Sequence, residues 1–598
     1  MSEIHEHPDQ KNQNERPPLG VARERFRLGV TGIAILTLAA TLFFARLGAR
    51  ALWSSEGRWA EIAREMHLNS NYFWPTINGK LYYDKPLLSY WMVLASAPVS
   101  GGINEAAARL PSAIAGLLGV ALTIILAHRF YDRRTALLAG FILATSYSFV
   151  FFSRHASADV ETVTGELATL LFFLKYRERG EAWNIIAAWL VMAITSLTKG
   201  LLGFALPLLV MGTYATLANG WKELRARIGR PLELITWGIE QNRWLVNRIT
   251  IAAVALAAVV YYFPFAMSRA RMHSGAGIGM VFRENVVRFF HPFDHRGPVY
   301  LYFGAIFALM APWSVFLPSA LIDAHAKKEA GEITRDRFAL IYFWATFVFF
   351  TLSGSRRSYY LLPILPAAAM LVAHLLMQSA SKVPVLARRL INLGYFILMA
   401  GSVFAAIILL PPHARPSALT GYPPTPAPIA FATFWILVMA SIAITMRDFR
   451  PRTIAISTGV IAYLMSFYMF VFAMPAVERY RSERPFAQTV RAQLNNDFTG
   501  LAMYRIWGPG LVYYLASDKR IPEFEQPDEL SSFAKDNNVR WLIVRERDLP
   551  TLPFTGSTVA METVYPWEVG TRTRNKYLLV KLEPATAAGG SDHRGVAN

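Results

Sequence analysis

Residues 87–100 read LLSYWMVLASAPVS and end on the pair Gly101-Gly102. This stretch decides how the chain is threaded. It is apolar, but at 14 residues it falls short of the roughly 18–20 that a helix needs to cross about 30 Å of hydrocarbon. Its length fits an interfacial or re-entrant piece. If it does not cross and the N-terminus is cytoplasmic, the inside loops are consistently basic: HRFYDRR at 128–134, KYRERGE at 175–181, the 218–248 segment, KKEAGEITRDR at 327–337, SKVPVLARR at 381–389 and RDFRPR at 447–452. If it did cross, all of these would move outside, against the positive-inside rule.

Working outward, apolar runs fall near 28–45, 110–127, 135–152, 158–174, 185–198, 201–217, 249–267, 298–319, 338–353, 359–378, 391–410, 429–445 and 453–474. The sequence therefore predicts a polytopic α-helical membrane protein with about 13 transmembrane helices. In a chain of 598 residues, 54% of them hydrophobic, the net charge of +19 is explained by cytoplasmic loops and anionic lipid, and no nucleic-acid partner is expected. There is no cysteine, which excludes disulfides and thiolate metal sites. Residues 1–27 read as a disordered cytoplasmic tail and 28–475 as the membrane part. Residues 476–585 read as a small periplasmic α/β domain, with a helix from Ser482, strands at 500–506, 539–546 and 576–583, and a helix at 527–537. It carries no nucleophile or phosphate-loop motif, so a lid or docking surface is expected, and 586–598 is a disordered tail. The 218–248 loop, with Trp221, Trp237 and Trp244 among its arginines, reads as an amphipathic helix on the cytoplasmic leaflet.

The far-side stretches hold charge where charge should be scarce. The first loop, 46–109, opens with ALWSSEGRWAEIAREM (51–66). Ser54 or Ser55 is the expected N-cap of a helix that lies along the membrane surface on Trp59, Ile62 and Met66. Further on come KLYYDKP (80–86), with Tyr82, Asp84 and Lys85, then SRHASADVE (153–161), with Asp159 and Glu161 at a span mouth. In FRENVVRFFHPFDH (282–295), Glu284 and Arg288 are four apart and can pair. SGSRRSYYLLP (353–363) brings Arg356 and Tyr360. Cations converging at headgroup depth point to a phosphate, and the carboxylates beside them to acid–base or metal chemistry. Asp84 with His291 or His295 is the candidate set for a divalent metal, although no ligand spacing identifies one. No other cofactor is expected.

SSEGRWAEIAREM, YYDKPLLSYW, GGINEAAARLPSAIAGLL, SLTKG, GPVYLYFGAIFALMAPWSVFLP and SGSRRSYYLLPILPA together resemble the lipid-carrier-dependent glycosyltransferases of the GT-C superfamily. Within it, the chain looks most like the bacterial aminoarabinose transferases that modify lipid A, and more distantly like protein O-mannosyltransferases. The resemblance covers roughly 28–480 and implies 13 membrane helices with a periplasmic C-terminal domain. It also implies a polyprenyl phosphate-sugar donor, a lipid or glycolipid acceptor, and a periplasmic active site in a bacterial inner membrane. The family's first loop reads Asp-Glu-(Thr/Gly)-Arg-Tyr. Here Ser55 stands for the first acid, Glu56 is kept, Arg58 matches and Trp59 replaces the tyrosine. Asp84-Lys85 matches the acid-Lys-Pro element, Asp159 the acid before a later span, Arg356 a lysine and Tyr360 a tyrosine. The expected roles follow. Glu56 or Asp159 activates the acceptor; Arg58, Lys85 and Arg356 hold the phosphate; Trp59, Tyr82 and Tyr360 orient phosphate or sugar; Asp84, Glu284 and Arg288 support them. Alternatives are a protein O-glycosyltransferase and a transporter without chemistry. The transporter predicts internal repeats and charge at the bilayer midplane, which the sequence lacks.

Overall fold

The computed structural model describes residues 27–217, 221–292, 296–326, 330–409, 451–477, 482–562 and 575–582. The expected span at 429–445, both terminal tails and His295 lie outside them. The described chain is overwhelmingly helical. Five of its helices are long and apolar enough to cross a membrane: Glu105–His128, Ala182–Lys199, Arg248–Met272, Ser358–Met377 and Pro451–Ala473. The count rises to seven if two bent pairs each form one span.

Those two bends revise the expected runs 135–152 and 298–319. The first is Arg133–Thr145 followed by Tyr147–Ser153, bent by 65°, and the second is Leu301–Leu309 followed by Trp313–Ala326, bent by 119°. Local chemistry explains both. The Thr145 and Ser146 hydroxyls bond back to the carbonyls of Phe141 and Ile142, each at 2.7 Å, a pattern that bends helices. Pro312 has no N–H to continue the ladder. The two breaks brace one another. Tyr147 N donates to Ala311 O at 2.9 Å, and Trp313 Nε1 donates to Thr145 Oγ1 at 2.9 Å.

The 87–100 stretch forms a single helix, Leu88–Ser100, stopped by Gly101 in the left-handed region at φ 74°, a conformation that glycine adopts without a side-chain clash. It packs between the first-loop helix Glu56–Leu68 and the long helix Glu105–His128. Asn104 caps the latter by accepting from Ala106 N and Ala107 N. The 218–248 loop is two short helices, Trp221–Arg227 and Pro231–Gln241, with a 3₁₀ turn at Arg243–Leu245, rather than one helix. Trp237 and Trp244 are buried, while Ile228, Leu232, Ile235 and Ile239 form the exposed apolar stripe.

Residue 484 onward forms a separate layer. Two short first-loop strands, β1 (Thr76–Ile77) and β2 (Lys80–Leu81), pair antiparallel. The C-terminal sheet contains β3 (Leu501–Tyr504), β4 (Glu523–Phe524), β5 (Trp541–Arg545), β6 (Gly556–Met561) and β7 (Tyr577–Leu582), in the order β4-β3-β5-β7-β6. Strands β4, β3 and β5 run parallel, and β7 and β6 add antiparallel. β3 and the centre of β5 are apolar and buried, as sheets covered on both faces require. Helices Arg484–Gln493, Pro509–Leu515 and Pro527–Asn537 complete the layer.

This layer is docked on the first loop. Asn78 exchanges two hydrogen bonds with the Ile521 backbone, at 2.7 and 2.8 Å. Tyr513 Oη donates to Ile103 O at 2.8 Å, and Lys80 pairs with Glu523 at 2.7 Å. A side chain at Gly57 would come within 2.4 Å of the Gly510 Cα, so the two segments touch backbone to backbone.

Packing on the first loop, helix Glu105–His128 and the docked layer corrects the surface-helix expectation for 56–66. Trp59, Ile62 and Met66 are at most 3% exposed. They pack on Leu52, Ile77, Leu87, Tyr90, Ala108 and Tyr513, so the stripe is protein core rather than a membrane anchor. The expected Ser cap is also absent. Ser55 makes no capping hydrogen bond; the Glu56 carboxylate accepts from Trp53 N at 3.1 Å instead.

Candidate active site

A cavity of about 960 Å³ opens where the first loop, the N-terminus of helix Asp159–Arg179, the Lys199-Gly200 step, the 276–290 segment and the 353–360 segment meet. Its wall has two characters. One part is aromatic and aliphatic, including Leu201, Leu202, Met280, Phe289, Phe349 and Phe350. The other carries Arg58, Lys85, Lys199, Arg283, Arg288 and Arg357 against Asp84, Asp159 and Glu284, a formal excess of three positive charges. An amphiphile with an anionic head matches such a wall.

The first cationic cluster comes from the first loop. Arg58 Nη1 donates to Asp84 Oδ2 at 2.8 Å and to Tyr82 Oη at 3.2 Å. Lys85 Nζ reaches the same Asp84 oxygen at 3.1 Å. The Arg58 guanidinium also lies 5.8 Å from the Trp59 ring centroid, within cation–π range. One carboxylate thus serves two cations and leaves a net positive charge. Burial raises the Asp84 pKa, but Lys85 and then Arg58 outweigh it and hold the group below its usual range. Burial lowers the Lys85 pKa, and Arg58 adds to it; the pull of Asp84 does not fully offset them. For Arg58 the carboxylate wins over burial, and its pKa is raised. An arriving phosphate would relieve the repulsion between the two cations.

The second cluster joins two helix ends. Asp159 begins helix Asp159–Arg179, where the helix dipole favours a negative charge, and it is ion-paired with Lys199. Lys199 Nζ lies 5.7 and 5.6 Å from the Tyr359 and Tyr360 ring centroids. Gly200 makes this turn possible. Its φ is +113°, and a Cβ there would meet Asn285 Oδ1 at 2.6 Å; that oxygen accepts from Leu201 N at 2.9 Å. Nearby, Glu284 and Arg288 pair at 2.5 Å across a π-helical turn.

Of the residues expected from sequence, Arg58, Trp59, Tyr82, Asp84, Lys85, Asp159, Glu284, Arg288 and Tyr360 line this one cavity. Three others do not. Glu56 is fully buried behind the wall. Arg109 Nε and Nη2 reach its two oxygens at 2.7 and 2.8 Å, Arg50 Nη2 lies at 3.0 Å, and Ala156 N donates at 3.2 Å. Burial raises its pKa, but Arg109, His155 and Arg50 overcome this and hold it well below the carboxylate range. A carboxylate so tied is a poor proton acceptor, which does not suit the base role expected for it. Arg356 donates to Gly297 O at 2.8 Å and to Thr351 O at 3.0 Å; the cation on the cavity wall is its neighbour Arg357. His291 is off the wall, and among the described residues no three His, Asp or Glu side chains group so as to hold a metal ion.

Residues 84–232 match the dolichyl-phosphate-mannose-protein mannosyltransferase family. Over 377 residues the chain is 26% identical to the undecaprenyl phosphate-alpha-4-amino-4-deoxy-L-arabinose arabinosyl transferase of Pseudomonas aeruginosa (strain UCBPP-PA14), covering 61% of this chain and 64% of that one. It is 25% identical over 375 residues to the protein of the same name from Erwinia tasmaniensis, covering 61% and 63%. The chain thus spans a little under two thirds of the length of these curated relatives. The crystal structure of ArnT from Cupriavidus metallidurans bound to undecaprenyl phosphate superimposes with a TM-score of 0.67, over 93% of this chain and 98% of that one, at 21% identity. The chain has the fold of that structure. The cavity brings in Lys199, Arg283, Arg357 and Tyr359 beyond the site residues read from sequence, and Ser55 also lines it. Lys199 carried a legible signal, a lysine at the end of a span that the sequence threading puts on the far side, against the positive-inside rule. Arg357 carried none, because adjacent arginines cannot be ranked by pattern.

Proposed function

We propose that the chain is a membrane glycosyltransferase that moves a sugar from a polyprenyl (undecaprenyl) phosphate carrier to an acceptor on the periplasmic side of a bacterial inner membrane. Lipid A or another lipopolysaccharide component is the favoured acceptor. The topology that goes with this reading has about 13 spans and places the first loop and the C-terminal layer together on the periplasmic face. The observation that carries it is the two-part cavity, in which a formal excess of three positive charges sits beside an apolar aromatic wall. The apolar part suits the isoprenoid and the cationic part suits its phosphate.

The chemistry follows from the donor. A sugar phosphate is already activated, and its phosphate leaves as a stable anion. The protein must therefore place positive charge where negative charge grows as the anomeric C–O bond breaks. Arg58 and Lys85 supply that charge, with Tyr82 beside them and Arg288 and Arg357 on the same wall. Tyr360 gives a flat surface on which a sugar can lie, and Trp59 holds Arg58 in place from behind. The Asp159–Lys199 pair faces the same space and orients the acceptor hydroxyl. The C-terminal layer, docked on the first loop, reaches the cavity wall from behind: the ring of its Trp507 lies 5.1 Å from that of Tyr82.

The test is lipid A mass spectrometry on cells with and without the protein, paired with transfer from an undecaprenyl phosphate-linked sugar by purified protein in lipid. The reading expects a mass increment of one sugar that depends on the protein. Binding of undecaprenyl phosphate without any transfer to lipid or protein acceptors would refute it in favour of the transporter.

A further inference from the structure

Each carboxylate on the wall of the large cavity is held by a cation: Asp84 by Arg58 and Lys85, Asp159 by Lys199, Glu284 by Arg288. Ser55 stands where the resembling family has its first acid. Yet an attacking hydroxyl must lose a proton, and an acceptor for it sits just behind the wall.

A second cavity, of about 10 Å³, lies between helices Leu88–Ser100 and Glu105–His128 and the 156–161 turn. It shares Trp59 and Ser157 with the large cavity, and Glu161, which the large cavity lacks, also lines it. Three buried polar atoms of its lining residues make no hydrogen bond among the described residues: Trp59 Nε1, Ser157 Oγ and Glu161 Oε2. The other Glu161 oxygen accepts from Ser112 Oγ at 2.8 Å, and no cation pairs with this carboxylate among the described residues. A space of about 10 Å³ is the size of one water, and buried waters typically make about three hydrogen bonds. A water placed here would have Trp59 Nε1 as a donor, Glu161 Oε2 as an acceptor and Ser157 Oγ as a third partner.

We propose that this is a one-water site through which Glu161 takes the acceptor's proton, by way of Ser157. The inference rests on the transferase reading above. In the step, the acceptor O–H bond breaks and its proton passes to Ser157 Oγ. The Ser157 proton passes to the water, and a water proton passes to Glu161 Oε2. The acceptor oxygen bonds to the anomeric carbon as the bond from that carbon to the phosphate oxygen breaks. The electron pair leaves on the phosphate beside Arg58 and Lys85. Once the product has left, Glu161 returns the proton by the same route to solvent water that enters the large cavity. Asp159 aligns the hydroxyl without becoming protonated.

The experiment measures transfer by Glu161→Gln, Ser157→Ala and Ser157→Thr in the full chain in lipid, using an undecaprenyl phosphate-linked sugar donor. Thermal melts and undecaprenyl phosphate binding serve as folding controls. Glu161→Gln keeps the bond from Ser112 and removes the base. It and Ser157→Ala should lower kcat by about 10²-fold or more with donor KM unchanged. Combining them should cost no more than either alone, and Ser157→Thr should retain most turnover. In the wild type, kcat in mixed light and heavy water should curve, showing more than one proton in flight. Normal kcat in folded Glu161→Gln, or a linear solvent-isotope plot, overturns the proposal while leaving the transferase reading intact. A wild type that transfers nothing removes the transferase reading, and the proposal with it.

Discussion

Replacing Glu56 by Gln separates two roles that the sequence could not tell apart. Glu56 has no exposed surface, and it joins three segments: Arg50 and Trp53 before the first-loop helix, Arg109 on helix Glu105–His128, and Ala156 in the turn before Asp159. Gln keeps the shape but removes the charge that faces Arg109 and Arg50. Breaking a buried ion pair by removing one partner costs roughly 3–5 kcal/mol. Arg109 keeps its bonds to the carbonyls of Leu47, Arg50 and Ala51 at 3.0, 2.6 and 2.8 Å, so the lower part of that range is expected. Thermal and denaturant melts in detergent should show the loss. Glu56→Gln combined with Arg109→Met should lose less than the sum of the two single changes, because they share one interaction. The pH dependence has a definite sign. The folded-state pKa is depressed, so this stability is fully present above the unfolded value of about 4.3. It is lost as pH falls through the lower folded-state value, and Glu56→Gln should flatten that acid limb. A Glu56→Gln protein that melts like the wild type but transfers no sugar would refute the structural role and return the residue to the chemistry.

Three other outcomes are expected. Lys85→Ala and Arg58→Ala should each lower transfer by about 10²–10³-fold, the usual cost of removing one preorganised charge-stabilising donor; normal turnover in a folded variant removes that residue from the phosphate site. Arg357→Ala should weaken undecaprenyl phosphate binding while Arg356→Ala should instead lower the melting temperature, measured side by side; the reverse pattern would contradict the cavity wall. The chain has no cysteine, so single cysteines at Glu105 and Ser531 can be labelled cleanly in intact cells, and both should react from the periplasmic side. A cytoplasmic Glu105 would overturn the threading of residues 87–100.

Chain-local physics determined much of this protein from sequence alone. Runs of apolar residues long enough for hydrocarbon fix membrane-type helices, because an unpaired backbone amide in lipid is so costly. Charge in the loops expected on the far side marked Arg58, Asp84, Lys85 and Asp159 as candidates, because ionisable groups there need partners or a wet cavity. Tertiary structure decided what those groups touch. The helical stripe of Trp59, Ile62 and Met66 is the same whether it meets lipid or protein; the rest of the first loop, helix Glu105–His128 and Tyr513 of the C-terminal layer together make it core. Glu56 and Asp159 are both acids at a helix N-terminus. Arg109, 53 residues away in the chain, takes Glu56 out of the cavity, and Lys199 keeps Asp159 in it. Arg356 and Arg357 are adjacent in the chain, and the backbone at 353–357 turns one to the Gly297 and Thr351 carbonyls and the other to the cavity. Each of these distinctions depends on contacts between residues far apart in the chain, and periodicity and local composition carry no information about such contacts.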